Sequence, residues 1–266
     1  MSSLLRPFYA AFFLLLIIAT GPAHAQQAHI VIDVASGRVL EESNADAPIG
    51  PASLTKMMTL YMTFEALREG VIGWEDRLPV SSEAARRPSY KLGLTPGDTI
   101  SVREAVTATA IRSANDATVV IAEALAGDEA RFARYMTNRA KLLGLRNTIF
   151  ATSNGLTAAG QVTTARDMAR LGIALMRDFP SRFSLFSTKS FTFRGRGIEG
   201  HNDLIGGYPG VNGIKTGYTA ASGYHVVTSV RAYGRRLIVV VMGERSVKAR
   251  EVLTRALLDR YLAVRF

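Results

Sequence analysis

The sequence predicts an α+β fold, with an antiparallel sheet assembled from the two ends of the chain and a mostly helical lobe inserted between them. Two observations predict it. Runs rich in β-branched residues lie near both ends, His29 to Val34 and Tyr224 to Met242. The long stretch between them carries helix starts and stops. At 266 residues, 48% hydrophobic and 20% charged, the chain can bury a sizeable core and does not read as disordered.

The first element is a hairpin. His29 to Val34 leads into a turn at Ala35-Ser36-Gly37, and Arg38-Val39-Leu40 returns. At the far end, Tyr224 to Val230, a turn around Tyr233-Gly234 and Leu237 to Met242 read as adjacent antiparallel strands. The last of these is nearly all apolar, which predicts a central position with both faces covered. In the helical stretch, Ser101-Val102-Arg103-Glu104 is a capping box, in which hydroxyl and carboxylate each satisfy a free amide. Asp128 caps a helix running to Leu143, stopped by Gly144. Thr164 opens another, stopped before Pro180, and Ser246 to Leu262 reads as a terminal helix.

Residues 1–25 are set apart as a signal peptide. Arg6 supplies the positive start, Phe12 to Ala19 is an apolar run too short to span a bilayer comfortably, and Ala23-His24-Ala25 offers small residues where a signal peptidase reads. The alternative is an uncleaved anchor. With export as the premise, the absence of Cys means that the fold relies on its core. The formal charge of +10 falls to +9 once Arg6 is removed. Such a basic surface suits an anionic polymer, or plain solubility. Nucleic acid is not expected, since no zinc-finger spacing, aromatic RNP-like run or concentrated basic block is present.

Three short motifs carry chemistry. Ser53-Leu54-Thr55-Lys56 follows Pro51, which favours a helix start near Ser53. Residues i and i+3 share a helical face, so Lys56 can reach the Ser53 hydroxyl, while free amides at the helix start favour a developing oxyanion. A serine becomes nucleophilic only when a base takes its proton, and Lys56 serves only if its pKa is depressed. Alone, this spacing is equally that of an ordinary capped helix. Ser113-Ala114-Asn115 separates two helical runs, Arg103 to Ile111 and Asp116 to Leu125. It reads as a helix joint, or as a hydroxyl that relays a proton plus an amide that holds substrate. Lys215-Thr216-Gly217 precedes the C-terminal strand pair, and on an edge strand Lys215 and Gly217 would face one way and Thr216 the other. Gly217 would let a substrate backbone approach, and Lys215 would attract a carboxylate and depress the Lys56 pKa. Alone, this tripeptide is equally a solvated strand end.

Together and in this order, the motifs resemble those of the low-molecular-mass penicillin-binding proteins of the D-alanyl-D-alanine carboxypeptidase type. The likeness spans about residues 28 to 262. It includes the segments Pro51 to Thr59, Ser113 to Ala117, Asn154-Gly155-Leu156, Thr164 to Leu171, Gly213 to Thr219 and Leu237 to Gly243. It implies a β-lactamase/D,D-peptidase-like fold with about five antiparallel strands flanked by helices, the helical lobe covering roughly residues 70–190. It implies a serine D-Ala-D-Ala carboxypeptidase acting on peptidoglycan stem peptides in the periplasm, inhibited by β-lactams, with no cofactor or metal. By the same resemblance Ser53 is the acylated nucleophile, Lys56 its proton acceptor and Ser113 the relay. Asn115, Lys215, Thr216 and Gly217 bind substrate, the amides of Ser53 and Tyr218 form the oxyanion hole, and Arg250 orients the terminal carboxylate.

Many members continue into an all-β domain and an amphipathic membrane helix. Here residues 26–266 are expected to form one catalytic domain without that extension. Arg250, Arg255, Arg260 and Arg265 do not share a helical face, so membrane contact is expected to be peripheral at most. Gly50 stands where the family often has Asp. The rivals are a D,D-endopeptidase using the same site, a serine β-lactamase, and a non-catalytic peptidoglycan-binding or β-lactam-sensing module. A β-lactamase would be expected to carry a Glu-x-x-Leu-Asn-like segment between Ser113 and Lys215, which this sequence lacks, and the module would have lost Ser53 or Lys56, both of which are present. His29, His201 and His225 are expected to be structural or exposed, with no His-Glu-x-x-His metal motif.

Overall fold

Strands from the two ends of the chain join side by side in one antiparallel sheet. The computed structural model describes residues 26–262, so the expected signal peptide and Arg265 lie outside the described residues. β1 (Ala28–Asp33) and β2 (Val39–Ser43) form the N-terminal hairpin; β7 (Val211–Thr219), β8 (Gly223–Ala232) and β9 (Arg235–Glu244) form the C-terminal meander. The strand order is β2-β1-β9-β8-β7, which makes β9 central and leaves β7, with its Lys-Thr-Gly motif, on an edge. β9 pairs with β1 and β8 at once, Val240 lying opposite Ile30 on one side and Val227 on the other. Leu237 to Met242 are all fully buried. Their side chains alternate between two cores, which is why the run reads as unbroken apolar sequence. Ile238, Val240 and Met242 join the large core under the helices, while Leu237, Val239 and Val241 meet Leu257 and Leu258 of the terminal helix.

The helices stop and start where local chemistry requires. α1 (Lys56–Arg68) carries the first motif. α3 (Val102–Ile111) begins with the full Ser101–Glu104 capping box, and α4 (Asn115–Ala126) ends at Gly127, whose φ of 84° closes the helix. α5 (Glu129–Leu142) and α6 (Ala165–Asp178) are capped by Asp128 and Thr164, each accepting the N3 amide. α8 (Val247–Leu262) closes the chain. Short helices α2 (Ser82–Ala85) and α7 (Pro180–Phe183) complete the set.

The middle lobe is less purely helical than its sequence suggests. It holds a two-stranded sheet, β3 (Arg77–Pro79) with β4 (Thr99–Ser101), and the hairpin β5 (Ser190–Phe193) with β6 (Arg196–Glu199) follows it. These pairs are three and four residues long, too short for the period of two to show. Among the described residues no helix is long and apolar enough to cross a membrane. The basic residues of α8 scatter as their spacing requires. Arg250 is buried, Arg255 donates to the Gly207 carbonyl, and Arg260 pairs with Glu41.

Candidate active site

The edge strand β7, the start of α1 and the α3–α4 joint converge on a cavity of about 290 Å³ lined by Ser53, Ser113, His201, Thr216, Tyr218 and Arg250, among others. The Ser-x-x-Lys segment is not continuous α-helix, as expected, but a 3₁₀ turn, Ala52–Thr55, running into α1 at Lys56. Side chains three apart eclipse in a 3₁₀ turn, so the reach survives the change of geometry. Lys56 Nζ lies 3.1 Å from Ser53 Oγ.

The turn is held under strain. Ala52, one residue before Ser53, has φ +48°, a left-handed conformation costly for a side-chain residue. Its carbonyl points into the space above Gly155, where an added Cβ would lie 1.8 Å from the Ala52 oxygen. Gly155, itself at φ +85°, is therefore required for the turn to close. From the other side Gly217 of β7 approaches the turn, and a Cβ there would meet Ser53 N at 3.1 Å and Leu54 N at 3.3 Å. Gly217 also lines the cavity beside Ser53, and its missing side chain lets the Ser53 turn lie directly against β7.

Lys56 is fully buried and has three neighbours within hydrogen-bond distance. Besides Ser53 Oγ these are Asn115 Oδ1 at 2.8 Å and the Asn154 carbonyl at 2.6 Å. Both of the latter are acceptors only. A neutral amine gives them its two hydrogens and turns its lone pair to the serine hydroxyl. Burial holds the Lys56 ammonium well below the usual lysine range, with the charge of Lys215 acting the same way and Glu129 opposing. Lys215, 3% exposed and bonded through Nζ to the Thr216 carbonyl, is brought down to about 7 by burial and then by Arg250.

Ser113 also adopts a left-handed φ, +62°, at the joint between α3 and α4. Its Oγ is buried with no hydrogen-bond partner, an uncommon state that leaves its donor and acceptor capacity unused. Asn115 departs from expectation. Its Oδ1 takes Lys56, and its Nδ2 donates to the carbonyls of Pro88 at 3.0 Å and Ser89 at 2.8 Å. Both amide hydrogens are thus committed to the strap of residues 88–94, not free for substrate. Asp116 fastens the same strap by accepting the amides of Leu92, Gly93 and Leu94.

Arg250 of α8 reaches the cavity with its Nε unpartnered and Nη2 on Glu251. Tyr218 lies half exposed, stacked on Tyr224 with ring centroids 4.2 Å apart. His225 is structural as expected: Nδ1 accepts the Gly243 amide and Nε2 faces the Gly50 carbonyl. His201 instead lines the cleft, packed edge-on against Tyr90 at 4.6 Å and within 3.2 Å of Arg112. Burial lowers its pKa to about 4, so it accepts from Arg112 as a neutral ring. The sequence reading left roles unassigned to Asn154, Gly155 and Glu129 and took His201 as structural or exposed. The Asn154-Gly155 dipeptide was the available signal for the first two; a lone His and a first-turn Glu carried none.

The D-alanyl-D-alanine carboxypeptidase family, peptidase S11, matches residues 17–246. The chain is 40% identical to the D-alanyl-D-alanine carboxypeptidase DacC of Escherichia coli over 94% of this chain and 66% of that protein. It is 40% identical to DacA of the same organism over 87% and 59%. It therefore spans about 59–66% of the length of these relatives. Its fold superposes on penicillin binding protein 5 of Haemophilus influenzae with a TM-score of 0.85 at 36% identity, covering 91% of this chain and 72% of that one. For penicillin-binding protein D2 of Listeria monocytogenes, solved in the ampicillin-bound form, the values are 0.80 and 32%, covering 87% and 95%.

Proposed function

The chain belongs to the D-alanyl-D-alanine carboxypeptidase family (peptidase S11), and from that premise we propose that it removes the terminal D-alanine of peptidoglycan stem peptides through an ester on Ser53. The observation that carries this reading is the three-way setting of Lys56, whose two acceptor neighbours leave its lone pair for Ser53.

The steps follow from the positions. The Ser53 hydroxyl passes its proton to Lys56 as Oγ bonds to the carbonyl carbon of the penultimate D-alanine. The amides of Ser53 and Tyr218 hold the oxyanion that forms. Ser113, whose Oγ has no other partner, relays the proton to the departing amine, and D-alanine leaves. Lys215, Thr216 and Arg250 hold its carboxylate. Water then attacks the ester and frees Ser53. β-Lactams offer an amide and a carboxylate in a like arrangement and are proposed as inhibitors that remain on Ser53. A rapid β-lactamase is disfavoured by Glu129, a carboxylate near Lys56 whose oxygens are taken by Ser153, Asn154 and Arg87 instead of facing a water in the cleft.

One observation favours a second reading, cleavage of cross-links. A further cavity of about 310 Å³ shares Gly200, His201, Asp203 and Thr216 with the catalytic cleft and is lined also by Lys215. It is roomier than D-alanine needs. Residues 1–25 are proposed to direct export to the periplasm and to be removed; N-terminal sequencing starting at Gln26 is the expected result.

The test is to follow D-alanine release from diacyl-L-Lys-D-Ala-D-Ala, with and without penicillin, alongside intact-mass analysis. Release should be blocked by penicillin as one adduct per chain appears, and Ser53→Ala should give neither. A cross-linked muropeptide dimer, run in parallel, separates the endopeptidase reading.

A further inference from the structure

Glu129 is the first residue of α5, directly after the Asp128 cap, and its side chain turns inward to 12% exposure. One carboxylate oxygen accepts three bonds: from the Ser153 amide at 2.9 Å, the Ser153 hydroxyl at 2.6 Å and the Asn154 side-chain amide at 3.1 Å. The other accepts Arg87 at 2.6 Å. The same two residues are gripped on their opposite side by α1, where the Ser153 carbonyl accepts Thr59 Oγ1 and the Asn154 carbonyl accepts Lys56 Nζ, each at 2.6 Å. Residues 153 and 154 are fully buried. They are pinned between a carboxylate behind and the base in front, and Gly155, which receives the strained Ala52 carbonyl, follows directly.

We propose that Glu129 is a positioning residue for the Ser53–Lys56 pair, holding from behind the Asn154 carbonyl that orients the Lys56 amine. The proposal rests on the reading of Lys56 as the base that acylates Ser53. It gives the serine–lysine pair what a base in other nucleophile sites receives, a third group that fixes its direction. Here that third group acts through one intervening peptide.

A structural anchor alone would need only the hydrogen bonds. Glu129 adds charge. Facing Lys56 are Lys215 from β7, which with burial disfavours the ammonium, and Glu129 from α5, which favours it. Arg250 acts one step further out on Lys215, and Arg87, Glu83 and Glu123 surround Glu129. Removing the Glu129 charge lets Lys56 lose its proton at lower pH. The acid limb of acylation, which reports the neutral base, then moves to lower pH.

The experiment measures the acylation rate of the mature protein by a fluorescent penicillin from about pH 5 to 9, with melting curves for each variant. Glu129→Gln keeps the shape and an oxygen for Ser153 but removes the charge. Its acid limb should move down by at least ~0.5 pH unit, with the plateau within about threefold of wild type. Glu129→Ala, which loses the anchor, should acylate roughly 10- to 100-fold more slowly at the plateau. An acid limb unmoved in Glu129→Gln overturns the proposal, as does a wild-type plateau in folded Glu129→Ala. If Glu129→Ala does not fold, the Glu129→Gln limb decides. A wild-type protein that takes no penicillin on Ser53 instead overturns the reading beneath it, and this proposal with it.

Discussion

The middle of the sheet and the floor of the cleft are equally sealed from water, and they use that seclusion in opposite ways. Along β9, Leu237 to Met242 bury only apolar side chains, and every residue is paired with both neighbouring strands or packed on a helix. At the cleft the buried groups are Lys56 and Lys215, an unpartnered Ser113 hydroxyl and an unpartnered Arg250 Nε. Ala52, Tyr90 and Ser113 hold left-handed backbone. Burial that stabilises the first region makes the second reactive, because a desolvated lysine sheds its proton and an unsatisfied hydroxyl seeks a partner. The difference teaches that the sheet supports strain which the cleft could not support alone.

If that division holds, damage to the sheet should remove stability without altering chemistry. Ile238→Ala on β9, where the side chain meets Gly172 of α6, should lower unfolding free energy by about 2–5 kcal/mol. Urea denaturation measures that loss. The acylation rate of the folded fraction should stay within about threefold of wild type, since distant sites act independently. A tenfold slower folded fraction would break the comparison.

The cleft should show its cost as pH changes. Lys215 titrates near 7 in the fold and near 10.5 unfolded, so between these values the unfolded chain binds more protons. Stability from this group therefore rises with pH across that window and is lost as pH falls toward 7. Lys56, also lowered by burial, acts with the same sign. Lys215→Met should be more stable relative to wild type at pH 7 than at pH 10. Paired denaturation curves at the two values test this; a difference independent of pH would mean that Lys215 is charged when folded.

The smallest effect is the sharpest contrast. Ser113→Gly relieves a left-handed φ of +62° and removes an unpartnered buried hydroxyl, so it should gain about 1 kcal/mol in stability. It should also lose the proton relay, slowing acylation by roughly 10²- to 10⁴-fold. A gain in melting temperature coupled to lost activity is the expected outcome, and a destabilised Ser113→Gly would show that the hydroxyl is bonded in solution.

The two regions also differed in how far the sequence disclosed them. β9 was legible as central because both faces of an interior strand are apolar, and the caps at Ser101, Asp128 and Thr164 were legible because capping is local chemistry. The three motifs come together in one cleft of the fold. Its wiring was not legible, because it depends on contacts far apart in the chain. Asn115 spends its amide on carbonyls 88 and 89, Gly217 makes room for the Ser53 turn, and Glu129 reaches Lys56 through residue 154. His201 entered the cleft on a loop whose sequence carries no periodic signal.

The central claim is that a lysine kept neutral by burial is the base that activates Ser53, while the second buried lysine serves the substrate's carboxylate. Acylation rates of Lys56→Arg and Lys215→Arg by penicillin, measured across pH, test it most directly. Arginine keeps the charge but does not act as a base near neutral pH, its pKa staying above about 12. Lys56→Arg should be nearly inactive at every pH, whereas Lys215→Arg should retain a measurable rate with impaired substrate use. A Lys56→Arg protein that acylates close to the wild-type rate, beside a dead Lys215→Arg, would place the base on β7 and contradict the account.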